Sequence, residues 1–466
     1  MKEKDSNLFW LWIITGMSTV ILFFCASLRH FLFQSNALDL GWFDQAIFLI
    51  SQGNTPIVSF VDNHILGDHA AFILYPLALF YVIYPNVHWL FAIQAVALSF
   101  GAVPVYRLAQ KAGLQKNLAL TMSAVYLLYP LVFNLNIFDF HSEVIALPIL
   151  FWAILAAKNN NFYRFLSAII IILSCKAVLS LTVAAMGLWL LFFERKRLCG
   201  STALGLGVFW FLITTQVIIP QFSGEKVAAL GRYSFLGDSV GEILKNFFLN
   251  PGIFLNKIFT LANLEYLILL VCPVIWGLSF SHLTPMVAAI PQLGLNLLTD
   301  YQPQKDLVHQ YSLPIIPFLL LSNIYTLATR KKIIKYHKII ICWSLITFLV
   351  LAKYSYFGSK YLEQLDTLFA MRQGVELVPP KVRVLTSPQI APHLTHRPVV
   401  KLGIRDAESI DINNFDYIML NVRHPSWPKS RKTVIDLVKK IRKNRKFISI
   451  HEQDNVFMFK QNWDIE

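Results

Sequence analysis

Asp39, Asp44, Asp68, His69, Asp139, His141, Glu143 and Lys176 stand at the ends of apolar segments or in the loops between them. Carboxylates and histidines can move protons near neutral pH, and a lysine among them can neutralise an anion. From Leu38 onward, Leu40, Phe43, Ile47 and Ile50 recur at helical spacing, so Asp39 and Asp44, five residues apart, leave that helix in different directions. One suits a pocket and the other a helix cap. Gly67-Asp68-His69 sets a carboxylate and an imidazole ahead of an apolar stretch, a pattern for a metal or phosphate site or for a helix cap. In Phe138-Asp-Phe-His-Ser-Glu, helical spacing puts Asp139 and Glu143 one turn apart, with His141 offset. Ionisable groups packed that densely at the edge of a membrane span are costly unless they are partnered. Lys176, in Leu173-Ser-Cys-Lys, either snorkels to headgroups or meets a phosphate. His309 and Tyr311 open a late apolar run near the same plane.

The elements that must position these groups are membrane helices. The chain is 56% hydrophobic and 15% charged, with a mean hydropathy of +0.53, which excludes an ordinary soluble globule. The apolar runs, counted with their polar flanks, give about eleven spans. The first run follows Met1-Lys-Glu-Lys-Asp-Ser without a small-residue cleavage site and is expected to stay as a helix. Basic clusters set the topology: Lys2 and Lys4, Arg107 and Lys111, Lys158 and Arg164, Arg195-Lys-Arg197 and Arg330-Lys-Lys332 belong to the cytoplasmic side. The acids and histidines then share the opposite face, with residues 31–86 as the first external loop. Ala70–Tyr84 is apolar enough to insert, but insertion would expose Arg107, Lys111 and Lys116 on the wrong side. A helix lying in the interface, dressed with Tyr75, Phe80, Tyr81 and Tyr84, is expected instead. The five cysteines are scattered without metal-ligand spacing and read as small buried hydrophobes.

Composition shifts near Phe357, dividing the chain into a polytopic domain, 1–356, and a domain at 357–466. Val382–Thr386, Val399–Leu402, Tyr417–Asn421, Phe447–His451 and Val456–Lys460 read as strands, and Thr433–Lys443 as an amphipathic helix buried through Val434, Leu437, Val438 and Ile441. The expected fold class is mainly α: a polytopic helical membrane protein with a small C-terminal α/β domain. With the N-terminus cytoplasmic in the plasma membrane, this domain is expected outside. Between Lys429 and Lys446 it carries nine Lys/Arg and one acid, Asp436. This is either a solvated face or a surface for anionic headgroups or an acidic polymer. No nucleic-acid partner is expected.

Leu40-Gly-Trp-Phe-Asp-Gln-Ala-Ile, Gly67-Asp-His, Tyr129-Pro, Phe138-Asp-Phe-His-Ser-Glu, His309-Gln-Tyr-Ser-Leu-Pro-Ile-Ile-Pro-Phe and Ala391-Pro-His-Leu-Thr-His-Arg-Pro resemble the DUF2079 family of bacterial membrane proteins. That family in turn resembles the GT-C glycosyltransferases, integral membrane enzymes that use lipid-phosphate-linked sugars. The resemblance implies transfer of a sugar from a polyprenyl-phosphate donor to a cell-envelope acceptor, with membrane lipids as further partners. It puts Asp44 at the place of the catalytic acid in the first external loop and Ala70–Tyr84 at that of the interfacial helix. In this reading Asp44 is the base, and Asp39, Asp68 and His69 bind substrate. Asp139, His141 and Glu143 bind the acceptor or a divalent cation such as magnesium, manganese or calcium, Lys176 and His309 face the phosphate, and Tyr311 binds substrate. The family's Cys-Lys-Glu-Asp is Cys175-Lys-Ala-Val178 here, which raises altered specificity or an inactive scaffold as alternatives. A transporter or flippase for a lipid-linked or anionic solute is the competing class, but it would string its charges along a pathway near the midplane.

Overall fold

Long apolar runs fold as helices because, away from water, the backbone must satisfy its own donors and acceptors. In a computed structural model, which describes residues 3–225, 228–237, 239–329, 336–403, 410–425 and 431–463, every expected span contains helix. Among the described residues, six segments are long and apolar enough to cross a membrane: Ser6–Phe31, His88–Lys111, Lys116–Phe138, Arg197–Ser223, Gln302–Thr329 and His337–Glu376. A seventh forms if Pro251–Ile258 and Leu261–Gly277, bent by 60°, act as one. Phe162–Cys175, Leu179–Phe192 and Thr284–Leu298 are shorter apolar helices. The basic cluster Arg330-Lys331-Lys332, as well as Lys2 and Lys429, lies outside the described residues.

Small residues let these helices approach closely. Leu179–Phe192 packs on Arg197–Ile213 through Gly187, Gly200 and Gly207. A Cβ on Gly187 would fall 2.4 Å from the Leu204 nitrogen, and one on Gly207 2.6 Å from the Ala184 nitrogen. Backbone-to-backbone contact of this kind replaces the hydrophobic drive that lipid removes.

The loop that carries the first acids is folded, not slack. Asn36 caps a π-helical turn, Ala37–Gly41, which runs directly into the helix Trp42–Ser51. Strands β1 (Ile57–Val58) and β2 (Asn63–His64) form a two-residue antiparallel hairpin beyond it. The helix expected across Ala70–Tyr84 is Leu74–Ile83. Its ten residues are about half of what a span requires. Leu79, Val82 and Ile83 are exposed, while Tyr81 is buried toward the protein.

Helices Tyr354–Glu363 and Leu368–Glu376 lead into a five-stranded sheet. Its strands are β3 (Val384–Thr386), β4 (Val400–Leu402), β5 (Tyr417–Asn421), β6 (Phe447–Gln453) and β7 (Val456–Gln461). Their order is β4-β3-β5-β7-β6: β3 is parallel to β4 and β5, while β7 is antiparallel to β5 and β6. Strand alternation gives the sheet two buried faces. Val384, Tyr417, Met419 and Met458 join the core shared with the membrane helices. Leu385, Ile418, Leu420 and Phe459 are covered instead by the helix Arg431–Lys443. The sheet is stitched to the first loop at Ser59, whose hydroxyl donates to the Val400 carbonyl (2.8 Å) and accepts from the Val400 amide (2.9 Å).

Candidate functional site

A cavity of about 460 Å³ opens between the first loop, the junction at Phe138–Glu143, the turn after Cys175 and the segments around Arg232 and Tyr311. Its polar lining is Asp39, Asp68, His69, His141, Glu143, Lys176, Arg232 and Tyr311, and much of the rest is apolar, with residues such as Leu179, Leu181, Phe211, Ile219, Leu236 and Leu295. Charged and apolar walls around one space fit an amphiphile.

Asp39 owes its position to a neighbour that stays out of the cavity. It sits in the π-helical turn capped by Asn36, whose Oδ1 accepts from the Leu38 amide at 2.9 Å. The Asn36 amide donates to Asp139 Oδ2 (2.9 Å), and Arg29 donates to both Asp139 oxygens (3.0 and 3.3 Å). Asp139 therefore clamps the end of the first helix to the turn that presents Asp39. This corrects the expected helical face shared by Asp139 and Glu143. One helix ends at Phe138, Asp139 adopts φ 125°, and the next helix begins only at Glu143. A non-glycine residue at such a φ costs about 1–3 kcal/mol, which the buried bidentate contact to Arg29 is able to hold.

His141 does enter the cavity. Its Nε2 lies 3.6 Å from Asp39 Oδ1, close enough for charge to matter but too far for a hydrogen bond. Its ring stacks on Phe138. Glu143 accepts from Lys176 Nζ at 2.5 Å, and the Ser142 hydroxyl fixes the Cys175 carbonyl at 2.8 Å, so the two chain turns are locked together. His69 contacts Asp68, and its carbonyl accepts from the Ala177 amide (3.0 Å). Burial opposes ionisation of Asp68, but His69, Lys176 and Arg232 overcome it and hold the carboxyl at about 2.

Arg232 had no place in the sequence expectations. It lies in the 3₁₀ segment Ala228–Leu236, with its guanidinium 4.3 Å from the Tyr301 ring centre and 5.3 Å from that of Tyr311. Its Nη1 donates to Gln304 at 2.8 Å. The available signal was its sign: an arginine in a segment expected outside runs against the basic-inside pattern and calls for a local reason. His309 is placed differently from the expectation. It pairs with Asp306 (2.7 Å) and meets the Phe138 ring edge-on, outside the cavity lining, whereas Tyr311 lines it.

Asp44 also lies outside the cavity. It is fully buried, accepts hydrogen bonds from the Tyr81 and Thr395 hydroxyls, and lies 3.2 Å from His396 Nε2. The expectation that Asp39 and Asp44 diverge holds: Asp39 lines the pocket, whereas Asp44 is buried against Thr395 and His396. Burial penalises the Asp44 carboxylate, yet His396 and the two hydroxyls hold its pKa below the usual carboxylate range. Burial likewise penalises charged His396, and Asp44 more than compensates, raising it.

The expected metal set Asp139, His141 and Glu143 does not fit an ion. Asp139 is taken by Arg29 and the Asn36 amide, and Glu143 by Lys176. Among the described residues no three His, Cys, Asp or Glu side chains gather to hold one. All five cysteines are unpaired.

Two solved structures share the fold. Both are of ArnT from Cupriavidus metallidurans, a GT-C glycosyltransferase. The structure bound to undecaprenyl phosphate gives a TM-score of 0.56 at 9% identity over 97% of each chain. The apo structure gives 0.53 at 10% identity, over 95% of this chain and 98% of that one. None of the curated proteins compared matches the sequence. The family model for "Predicted membrane protein (DUF2079)" matches residues 29–458, and the chain belongs to that family.

Proposed function

We propose that this protein is a membrane glycosyltransferase that moves a sugar from a polyprenyl-phosphate carrier to a hydroxyl acceptor on the outer side of the plasma membrane. The observation that carries the reading is one cavity lined by Asp39 and His141, by the cations Lys176 and Arg232, and by many apolar side chains. The GT-C fold, seen with undecaprenyl phosphate in ArnT, supports a polyprenyl-phosphate donor. Asp39 removes the acceptor proton, the acceptor oxygen attacks the anomeric carbon, and the carbon–oxygen bond to phosphate breaks. The electron pair leaves on the polyprenyl phosphate, where Lys176 and Arg232 neutralise it. Asp68 and Glu143 keep the two cations oriented, and His141 and Tyr311 contact the sugar. Ala177 and Val178 border the cavity where the family carries Glu and Asp, so the acids of this site come from Asp39, Asp68 and Glu143. The N-terminus is cytoplasmic and the C-terminal domain extracytoplasmic in this scheme, in accord with the basic loops.

Proteoliposomes given radiolabelled polyprenyl-phosphate sugars and a soluble acceptor test it. Label in the acceptor, lost on Asp39→Asn, is the expected result. Label that crosses the bilayer still attached to lipid would replace the enzyme with a transporter.

A further inference from the structure

The helix Arg431–Lys443 and the turn after it carry eight Lys/Arg and one acid, Asp436. Val434, Leu437, Val438 and Ile441 face the sheet, so Lys432, Asp436, Lys439, Lys440 and Lys443 fall on the opposite stripe, and all five are exposed. Lys439 lies 3.6 Å from Asp436, and Arg442 is occupied by Glu452 at 2.6 Å. Lys432, Lys440 and Lys443 pair with no described carboxylate.

A basic stripe of this kind suits either a membrane surface or an anionic polymer, and its place in the fold separates the two. The inner face of the sheet, through Val384, Tyr417 and Met458, merges with the core of the membrane helices. The helix Arg431–Lys443 covers the other face, in a separate apolar cluster. Its charges therefore point away from the protein's own membrane domain. From Lys432 to Lys439 the axial rise is about 10 Å, and from Lys439 to Lys443 about 6 Å. That spacing suits a flexible chain whose anionic groups recur every few ångströms, and potentials summed over such a stripe concentrate it.

We infer that this face is a docking surface for a linear polyanion, a polymer bearing repeated carboxylate or phosphate groups. Binding at this face requires no sugar transfer, so it is measured without donor and stands or falls separately from the proposed reaction. The full-length protein in phosphatidylcholine nanodiscs is titrated with fluorescent polygalacturonate, inorganic polyphosphate and neutral dextran. Expected are binding of one or both anionic probes, weakening as salt shortens the screening length, and none of dextran. Which probe binds distinguishes carboxylate from phosphate as the source. The quadruple variant Lys432→Gln, Lys439→Gln, Lys440→Gln, Lys443→Gln should lose at least about tenfold in affinity. The matching Lys→Arg set should retain it, which guards against a folding artefact. Unchanged binding by the Gln variant overturns the proposal. So does hydrogen-exchange protection of residues 431–443 by phosphatidylglycerol nanodiscs with no polymer binding, which would assign the face to a membrane.

Discussion

Asp39→Asn and Asp44→Asn should fail in different ways, although the two acids share one short segment. Among the described residues no donor is hydrogen-bonded to the Asp39 carboxylate, and His141 Nε2 is held at 3.6 Å. Its amide variant should keep the fold and lose the proton acceptor, a fall of roughly 10²–10⁴ in turnover, or about 3–5 kcal/mol in barrier height. Asp44 is buried under two hydroxyl donors and an imidazole. An asparagine keeps one acceptor oxygen and no charge, so Tyr81 and Thr395 compete for it and His396 loses its counter-ion. Hydrogen bonds to a charged group contribute about 1.5–3 kcal/mol against about 1 for neutral ones, so the variant should lose roughly 2–4 kcal/mol at the domain junction. Turnover in proteoliposomes reads the first effect. Trypsin susceptibility of the segment between Glu376 and Val384 reads the second, normalised to intact membrane-domain fragment. A folded Asp44→Asn protein with normal protease resistance and no turnover, beside an active Asp39→Asn, would refute Asp39 as the base and return that role to Asp44.

Three further outcomes follow from the geometry. The Asp44–His396 contact should set a pH window: the depressed Asp44 contributes stability above its ordinary value of 3.8, and the raised His396 contributes below its ordinary 6.5. Junction proteolysis should thus be slowest between these values, rise as alkaline pH passes through the raised histidine value, and lose its alkaline limb in His396→Phe. Arg232→Ala should raise KM for the lipid donor about tenfold or more by removing one phosphate cation, and Arg232→Lys should restore part of it; an unchanged KM removes Arg232 from the site. Gly187→Leu should separate the helices Leu179–Phe192 and Arg197–Ile213, because its Cβ meets the Leu204 backbone at 2.4 Å, with yield of monodisperse protein in detergent falling well below that of Gly16→Leu, where nothing lies within 4 Å.

The helices were legible because apolar runs have no other stable form in lipid, and the C-terminal strands because short, β-prone apolar runs such as Tyr417–Asn421, buried along its whole length, stand out from polar surroundings. The convergence of His69, His141, Glu143 and Lys176 followed from topology alone, since each was assigned to one face. Asp139 misled because helical spacing was carried across Phe138–Glu143, where the backbone breaks at φ 125°. Nothing local announces that break; it rests on Arg29, 110 residues earlier in the chain. The partners of Asp44 were hidden for a related reason. Thr395 and His396 are about 350 residues away, and no periodicity links them to it. His309 faces Asp306 only once the turn between them is known.

The stitch between Ser59 and Val400 sets the order of assembly. The segment bearing Asp39 is made long before the C-terminal sheet, yet Gln45 donates to the Arg397 carbonyl and Ser59 exchanges two bonds with Val400, across sequence separations of 352 and 341 residues. During translation Gln45 and Ser59 can hold only each other until the sheet has been delivered to the same side. Contacts so distant in sequence are slow to form and must wait on everything between them. A nascent or prematurely terminated chain would then hold its early spans in the bilayer with the loop still open, and closure of that loop would report that the sheet around Val400 has arrived.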